Sequence, residues 1–118
     1  MLQLGGLMGI AQSIGELQYK TERRKQMKEQ EIVARIQKYL KANGAYVVKT
    51  IVSNRAGIPD ILACLDGTFI GIEVKTDTGV VSPLQSANLV MIVEAGGVGM
   101  VARSTADVKR VLEEARLV

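Results

Sequence analysis

The sequence predicts an α/β layered domain with a small mixed sheet and the element order αβββαβα. Three observations carry this. A helical periodicity precedes the Asn43-Gly44 stop; β-branched runs follow, two of them joined by Asp66-Gly67; and a Ser82-Pro83 helix start leads to one more strand and an amphipathic closing helix. With 118 residues, 47% of them hydrophobic and 23% charged, and only 2 Pro, the chain has material for one packed core and no internal repeat.

In the first helix, expected over about residues 22–42, Ile32, Val33, Ile36 and Leu40 recur at spacings of three and four. Tyr46 to Val52 is a β-branched run, hence a strand, and Ser53-Asn54-Arg55-Ala56-Gly57 leaves it as a loop. Asp60 to Leu65 and Thr68 to Lys75 form a hairpin across Asp66-Gly67. Ser82 caps the second helix with Pro83 at its first position, and the apolar run from Leu84 to Val93 carries it to Gly96-Gly97. Val98 to Ala102 is the fourth strand, and Thr105 to Leu117 closes the domain with Val108, Val111 and Leu112 inward.

Residues 1–20 are left as an unassigned N-terminal segment, compatible with helix. Leu2, Leu4, Leu7, Met8, Ile10, Ile14 and Leu17 suit docking on the core or on a second subunit, and equally suit a frayed terminus. This stretch has no basic n-region and no clear cleavage site, and no run approaches the roughly 20 apolar residues that span a bilayer. A cytoplasmic protein with no membrane partner is therefore expected.

The absence of His excludes a Ser/His/Asp system, a Cys/His nucleophile and an HExxH zinc site. The single Cys64 excludes an internal disulfide framework and reads as a small buried hydrophobe in its strand. Catalysis must then run on carboxylates, Lys, hydroxyls and a hard metal bound through oxygen. The net charge of +3 conceals an asymmetry: Lys20 to Lys41 carries eight positive and three negative residues, and the remainder sums to −2. A segment of that sign suits phosphates, although a solvated helix face reads the same way.

The sharpest constellation lies in the hairpin. A period of two puts Ile70, Ile72 and Val74 on one face and Glu73 and Lys75 on the other, while the two-residue turn brings Asp60 opposite Glu73. Two carboxylates that close demand a raised pKa or a divalent cation; a surface ion-pair cluster is the plainer reading of the same residues. On the first helix Glu29 lies about 20° from Ile36, on the inward stripe, and Glu31 about 140° away on the solvent face. Gln85 fits a capping box with Ser82 as well as a place beside the carboxylates.

Gly57-Ile58-Pro59-Asp60, then twelve residues, then Glu73-Val74-Lys75, resembles the PD-(D/E)XK nuclease signature. With Glu29 upstream and Ser82-Pro83-Leu84-Gln85 downstream, the pattern is similar to a VRR-NUC (virus-type replication-repair nuclease) domain, here residues 21–118. The resemblance implies a restriction-endonuclease-like αβββαβ core and a Mg²⁺- or Mn²⁺-dependent endonuclease. It implies Glu29, Asp60, Glu73 and the Val74 carbonyl as metal ligands, Lys75 as the residue that orients or deprotonates the attacking water, and Gln85 as part of the catalytic site. It also implies a homodimer resembling a Holliday-junction resolvase, in a bacterial or phage-infected cell. A flap or general nicking nuclease is an alternative, and a DNA-binding module without activity is another. Arg23, Arg24, Lys25, Lys28, Lys49 and Arg55 are the candidate DNA contacts. With aromatic content of only 3%, backbone charge and DNA shape are favoured over base stacking as the mode of recognition.

Overall fold

The elements follow in the expected order: α1 (Leu2–Ala42), β1 (Tyr46–Lys49), β2 (Ile61–Leu65), β3 (Thr68–Val74), α2 (Pro83–Glu94), β4 (Val98–Ala102) and α3 (Thr105–Glu114). The structure is a computed structural model that describes residues 2–118, with side chains from Ser13 onward. The docking expected of Leu2, Leu4, Leu7, Met8 and Ile10 lies outside the described side chains.

The four strands form one mixed sheet in the order β1-β2-β3-β4, antiparallel up to β3 and parallel between β3 and β4. At the β2–β3 turn Asp66 and Gly67 both take positive φ, 50° and 76°, the primed turn whose twist matches that of the strands it joins. One sheet face, carrying Ile61, Ile70, Ile72, Val74, Met100 and Ala102, buries against Val33, Ile36 and Leu40 of α1 and Val108 and Leu112 of α3. Each such fully buried Ile, Leu or Val side chain contributes about 1.5–3 kcal/mol.

On the other face α2 lies directly on the backbone of β3 and β4. Gly71 and Gly99 are register partners there. A Cβ on Gly99 would stand 2.7 Å from the Leu89 carbonyl oxygen, and one on Gly71 2.5 Å from Ile92 Cδ1. Two side-chain-free positions side by side thus set the depth of the helix, and its N-terminus arrives beside the end of β3.

Several boundaries differ from the sequence expectation, each for a visible reason. The first helix begins at Leu2, not near residue 22: from Ser13 to Thr21 no Pro intervenes, and Glu16, Leu17, Gln18 and Lys20 are good helix formers. Residues 13–24 of this helix are exposed, Ile14 and Leu17 included, so those two do not dock on the core of their own chain. β1 ends at Lys49 because Thr50 closes it off, its N–H donating to the Asp60 carbonyl and its hydroxyl to that of Pro59. Ile51 and Val52 beyond it are 87% and 91% exposed; β-branching favours a strand only where something packs on it. α3 stops at Glu114 rather than Leu117, where Arg116 takes φ 60° and the Leu117 N–H turns back to the Leu112 carbonyl. Cys64 is exposed, not buried: Ile61, Ala63 and Leu65 take the core face, and α2 covers β3 and β4 but not β2.

Candidate active site

Alternation along β3 sends Glu73 to the α2 side of the sheet, where it is only 2% exposed. Extending the β2–β3 register one step past Ile61 and Ile72 brings Asp60 opposite it. Asp60 Oδ2 accepts the Val74 N–H at 2.8 Å. Glu73 Oε1 accepts from Gln85 Nε2 at 2.8 Å and lies 3.6 Å from Lys75 Nζ. Its second oxygen, Oε2, is buried without a hydrogen-bond partner. Burial, and then the Asp60 carboxylate beside it, push the Glu73 carboxyl up to about 7 against the opposing pull of Lys75.

An unsatisfied buried carboxylate oxygen next to a second carboxylate is the chemistry a hard divalent cation satisfies, so Asp60 and Glu73 fit such an ion. Among the described residues no three His, Cys, Asp or Glu side chains converge. The remaining oxygen ligands would have to be backbone carbonyls, water or substrate.

The loop that delivers Asp60 is fixed by α2. Gly57 takes φ +78°, and a Cβ there would stand 2.7 Å from Leu84 Cγ and 2.9 Å from Asn88 Nδ2. Buried Asn88 donates to the Ala56 and Leu84 carbonyls, stitching the loop to the helix. Lys75 is held through its stem: its side chain is 15% exposed, and a Cβ on Gly79 would stand 3.2 Å from Lys75 Cδ. The turn carrying Gly79 is in turn clamped by Arg103, whose Nη1 donates to the Thr76 and Gly79 carbonyls.

No family model matches the sequence, and no curated protein matches it. A solved structure described as a VRR_NUC domain does match, at 26% identity and a TM-score of 0.63, covering 73% of this chain and 95% of that one. The chain has the VRR-NUC fold. The resemblance read from Gly57-Ile58-Pro59-Asp60 and Glu73-Val74-Lys75 is thereby borne out, and so is the predicted layered architecture.

Within the VRR-NUC fold the site residues expected from sequence fall into three groups. Asp60, Glu73, Lys75 and Gln85 come together. Gln85 serves both readings at once: its Oε1 accepts the Ser82 N–H and its N–H donates to Ser82 Oγ, completing the capping box, while Nε2 holds Glu73. Val74 stands between the two acidic positions with its side chain in the core and its N–H on Asp60. Glu29 is half-buried on the stripe of Val33 and Ile36, as its phase requires, but α1 covers the sheet face opposite to Glu73 and the structure does not bring the two together.

The candidate DNA contacts divide between two sides. Arg24, Lys25 and Lys28 line a cleft along α1, and Arg23 donates to the Tyr19 hydroxyl. Arg55 shares a 230 Å³ hollow with Thr50, Gly57 and Asp60 and reaches Met91 Sδ at 3.0 Å; Lys49 is exposed on the edge strand. Sequence reasoning missed Asn88 and Arg103. The one amide inside the apolar run Ala87–Val93 is a signal that finds the first; nothing local marks the second. No helix among the described residues is long and apolar enough to cross a membrane.

Proposed function

We propose that this chain is a divalent-metal-dependent endonuclease that hydrolyses phosphodiester bonds in structured DNA, most specifically at four-way junctions. The observation that carries the reading is the buried Glu73, with one oxygen unsatisfied, facing Asp60 and flanked by Lys75 and Gln85 on a VRR-NUC fold. Mg²⁺ or Mn²⁺, when bound by Asp60, Glu73 and the Val74 carbonyl, would neutralise charge developing on the phosphate, and Glu29 would join that set only by reaching around the carboxyl end of β3. Lys75, with Nζ 3.6 Å from Glu73, orients the attacking water or steadies the phosphate oxygens. Gln85 fixes the Glu73 carboxylate through Oε1, which would leave the unpartnered Oε2 for a cation.

A homodimer belongs to this reading, because symmetric cutting of a junction needs two sites related by a two-fold axis. The test is a panel of four-way junction, flap and plain duplex with Mg²⁺, Mn²⁺ or EDTA, alongside sedimentation of the free protein. Preferential junction cleavage by a dimer, lost in EDTA, is expected. Preference for flaps reassigns the substrate, and binding without cleavage under any metal overturns the enzymatic reading.

A further inference from the structure

A second hollow lies apart from the one beside Asp60. It is a cleft of about 720 Å³ between α1 and the carboxyl ends of β3 and β4, the end of a parallel pair where α/β sheets place ligands. Five cations line it: Arg24, Lys25, Lys28 and Arg35 from α1, and Arg103 from the loop after β4. Three acids, Glu22, Glu31 and Asp77, stand among them. The ion pairs of the described residues lie elsewhere, at Lys75–Glu73, Lys109–Glu113 and Arg110–Asp107, so none of the cleft cations is neutralised by a carboxylate contact.

Two features make this more than a charged helix face. Thr76 forms part of the wall, is 7% exposed, and its hydroxyl has no hydrogen-bond partner. Arg103 is already oriented: Nη1 is tied to the Thr76 and Gly79 carbonyls, which fixes the plane of the guanidinium at the floor and leaves the rest of its fork for a ligand. An unsatisfied hydroxyl, a pre-set guanidinium and a row of unpaired cations together match a tetrahedral oxyanion.

We propose that this cleft is a phosphate subsite that seats a backbone phosphodiester of a nucleic-acid strand, with Arg103 and Thr76 at its floor and Lys28 and Arg35 on its α1 wall. The proposal rests on the nuclease reading and deepens it. Thr76 follows Lys75 directly, so a strand anchored here passes the end of the sheet toward Asp60 and Glu73. Arg35, on the outward face of α1 by its helical phase, thereby acquires a role that periodicity alone hides.

The test runs on the full chain in EDTA, so that it is independent of catalysis. A fluorescent duplex oligonucleotide is titrated over a series of salt concentrations, with inorganic phosphate as the second probe. Lys28→Ala/Arg35→Ala should weaken duplex binding by at least about tenfold and flatten the slope of log K against log salt by about 1–2. The charge-matched Lys109→Ala/Arg110→Ala on α3 should do neither. Thr76→Val, which keeps side-chain volume and removes the hydroxyl, should weaken binding with the salt slope unchanged. Circular dichroism checks that each variant is folded. Equal weakening by the two double variants, or none by either, overturns the subsite. Competition by inorganic phosphate at equal strength to the duplex assigns the cleft to free phosphate and overturns the strand reading. Tight, subsite-dependent binding with no Mg²⁺-stimulated cleavage would leave the subsite standing and remove the nuclease.

Discussion

Glu73 offers a measurement that needs no substrate. Its carboxyl titrates near 7 in the folded chain against an ordinary 4.5, raised by burial and by Asp60. A carboxyl whose folded pKa lies above its unfolded one binds its proton more tightly when folded. It therefore contributes stability that is fully present below pH 4.5 and is lost as pH rises through 7. Integrated from about pH 5.5 to about pH 8, the loss is about 2 kcal/mol, or roughly 6–10 °C in Tm for a domain of this size. The chain has no His, the side chain that ordinarily titrates in this window, so the signal is unusually clean.

The assay is urea unfolding in EDTA across that range. Wild type should lose stability as pH rises, whereas Glu73→Gln, which cannot ionise, should show little slope. Mg²⁺ should restore wild-type stability at the alkaline end and do little at the acid end, because proton and cation compete for the same oxygens. A wild-type stability that is flat or rises over the window would refute the reasoning, as would an equal slope in Glu73→Gln.

Other expectations follow from the same contacts. Asp60→Asn should nearly abolish cleavage and leave the fold intact, measured by junction cleavage and circular dichroism; Lys75→Ala should bind junctions well and cut them poorly. Gln85→Ala should lower both stability, by about 1 kcal/mol for the broken capping box, and cleavage. Gln85→Glu keeps an acceptor for the Ser82 N–H but sets a third carboxylate against Glu73, so it should hold Tm more closely than Gln85→Ala while reducing cleavage at least about tenfold, roughly 1.4 kcal/mol. Glu29→Gln should cost at least about tenfold in cleavage and weaken the Mg²⁺ requirement curve, whereas Glu31→Gln, which removes an acid from the cationic cleft, should spare chemistry and slightly tighten duplex binding.

What could be read in advance was what short-range rules control. The Asp66-Gly67 turn fixed the register, and register alone predicted that Asp60 meets Glu73; the Ser82-Pro83-Leu84-Gln85 cap fixed where α2 starts. Strand and helix ends were less legible wherever a long-range bond decided them. Thr50 ends β1 by capturing the Pro59 carbonyl nine residues away, and no property of Ile51 or Val52 announces that. Arg103 is the extreme case, an arginine that clamps carbonyls 27 and 24 residues upstream through sheet topology alone.

Gln85 and Glu29 show why a residue's local explanation and its role at the site must be weighed separately. For Gln85 the capping box had looked like a rival to a place at the site, yet an amide has two ends: the oxygen closes the helix and the nitrogen holds Glu73, so the cap is what positions the contact with Glu73. For Glu29 the helical phase was right and still insufficient. Phase places a carboxylate on the inward stripe of α1, but a sheet has two faces, and α1 covers the one that Glu73 turns away from. If Glu29 serves the cation, it must reach around the carboxyl end of β3, the edge where Arg103 already places a positive charge. The Glu29→Gln measurement therefore decides whether the two faces share one functional centre at that edge or whether the carboxylate pair works from the α2 side alone.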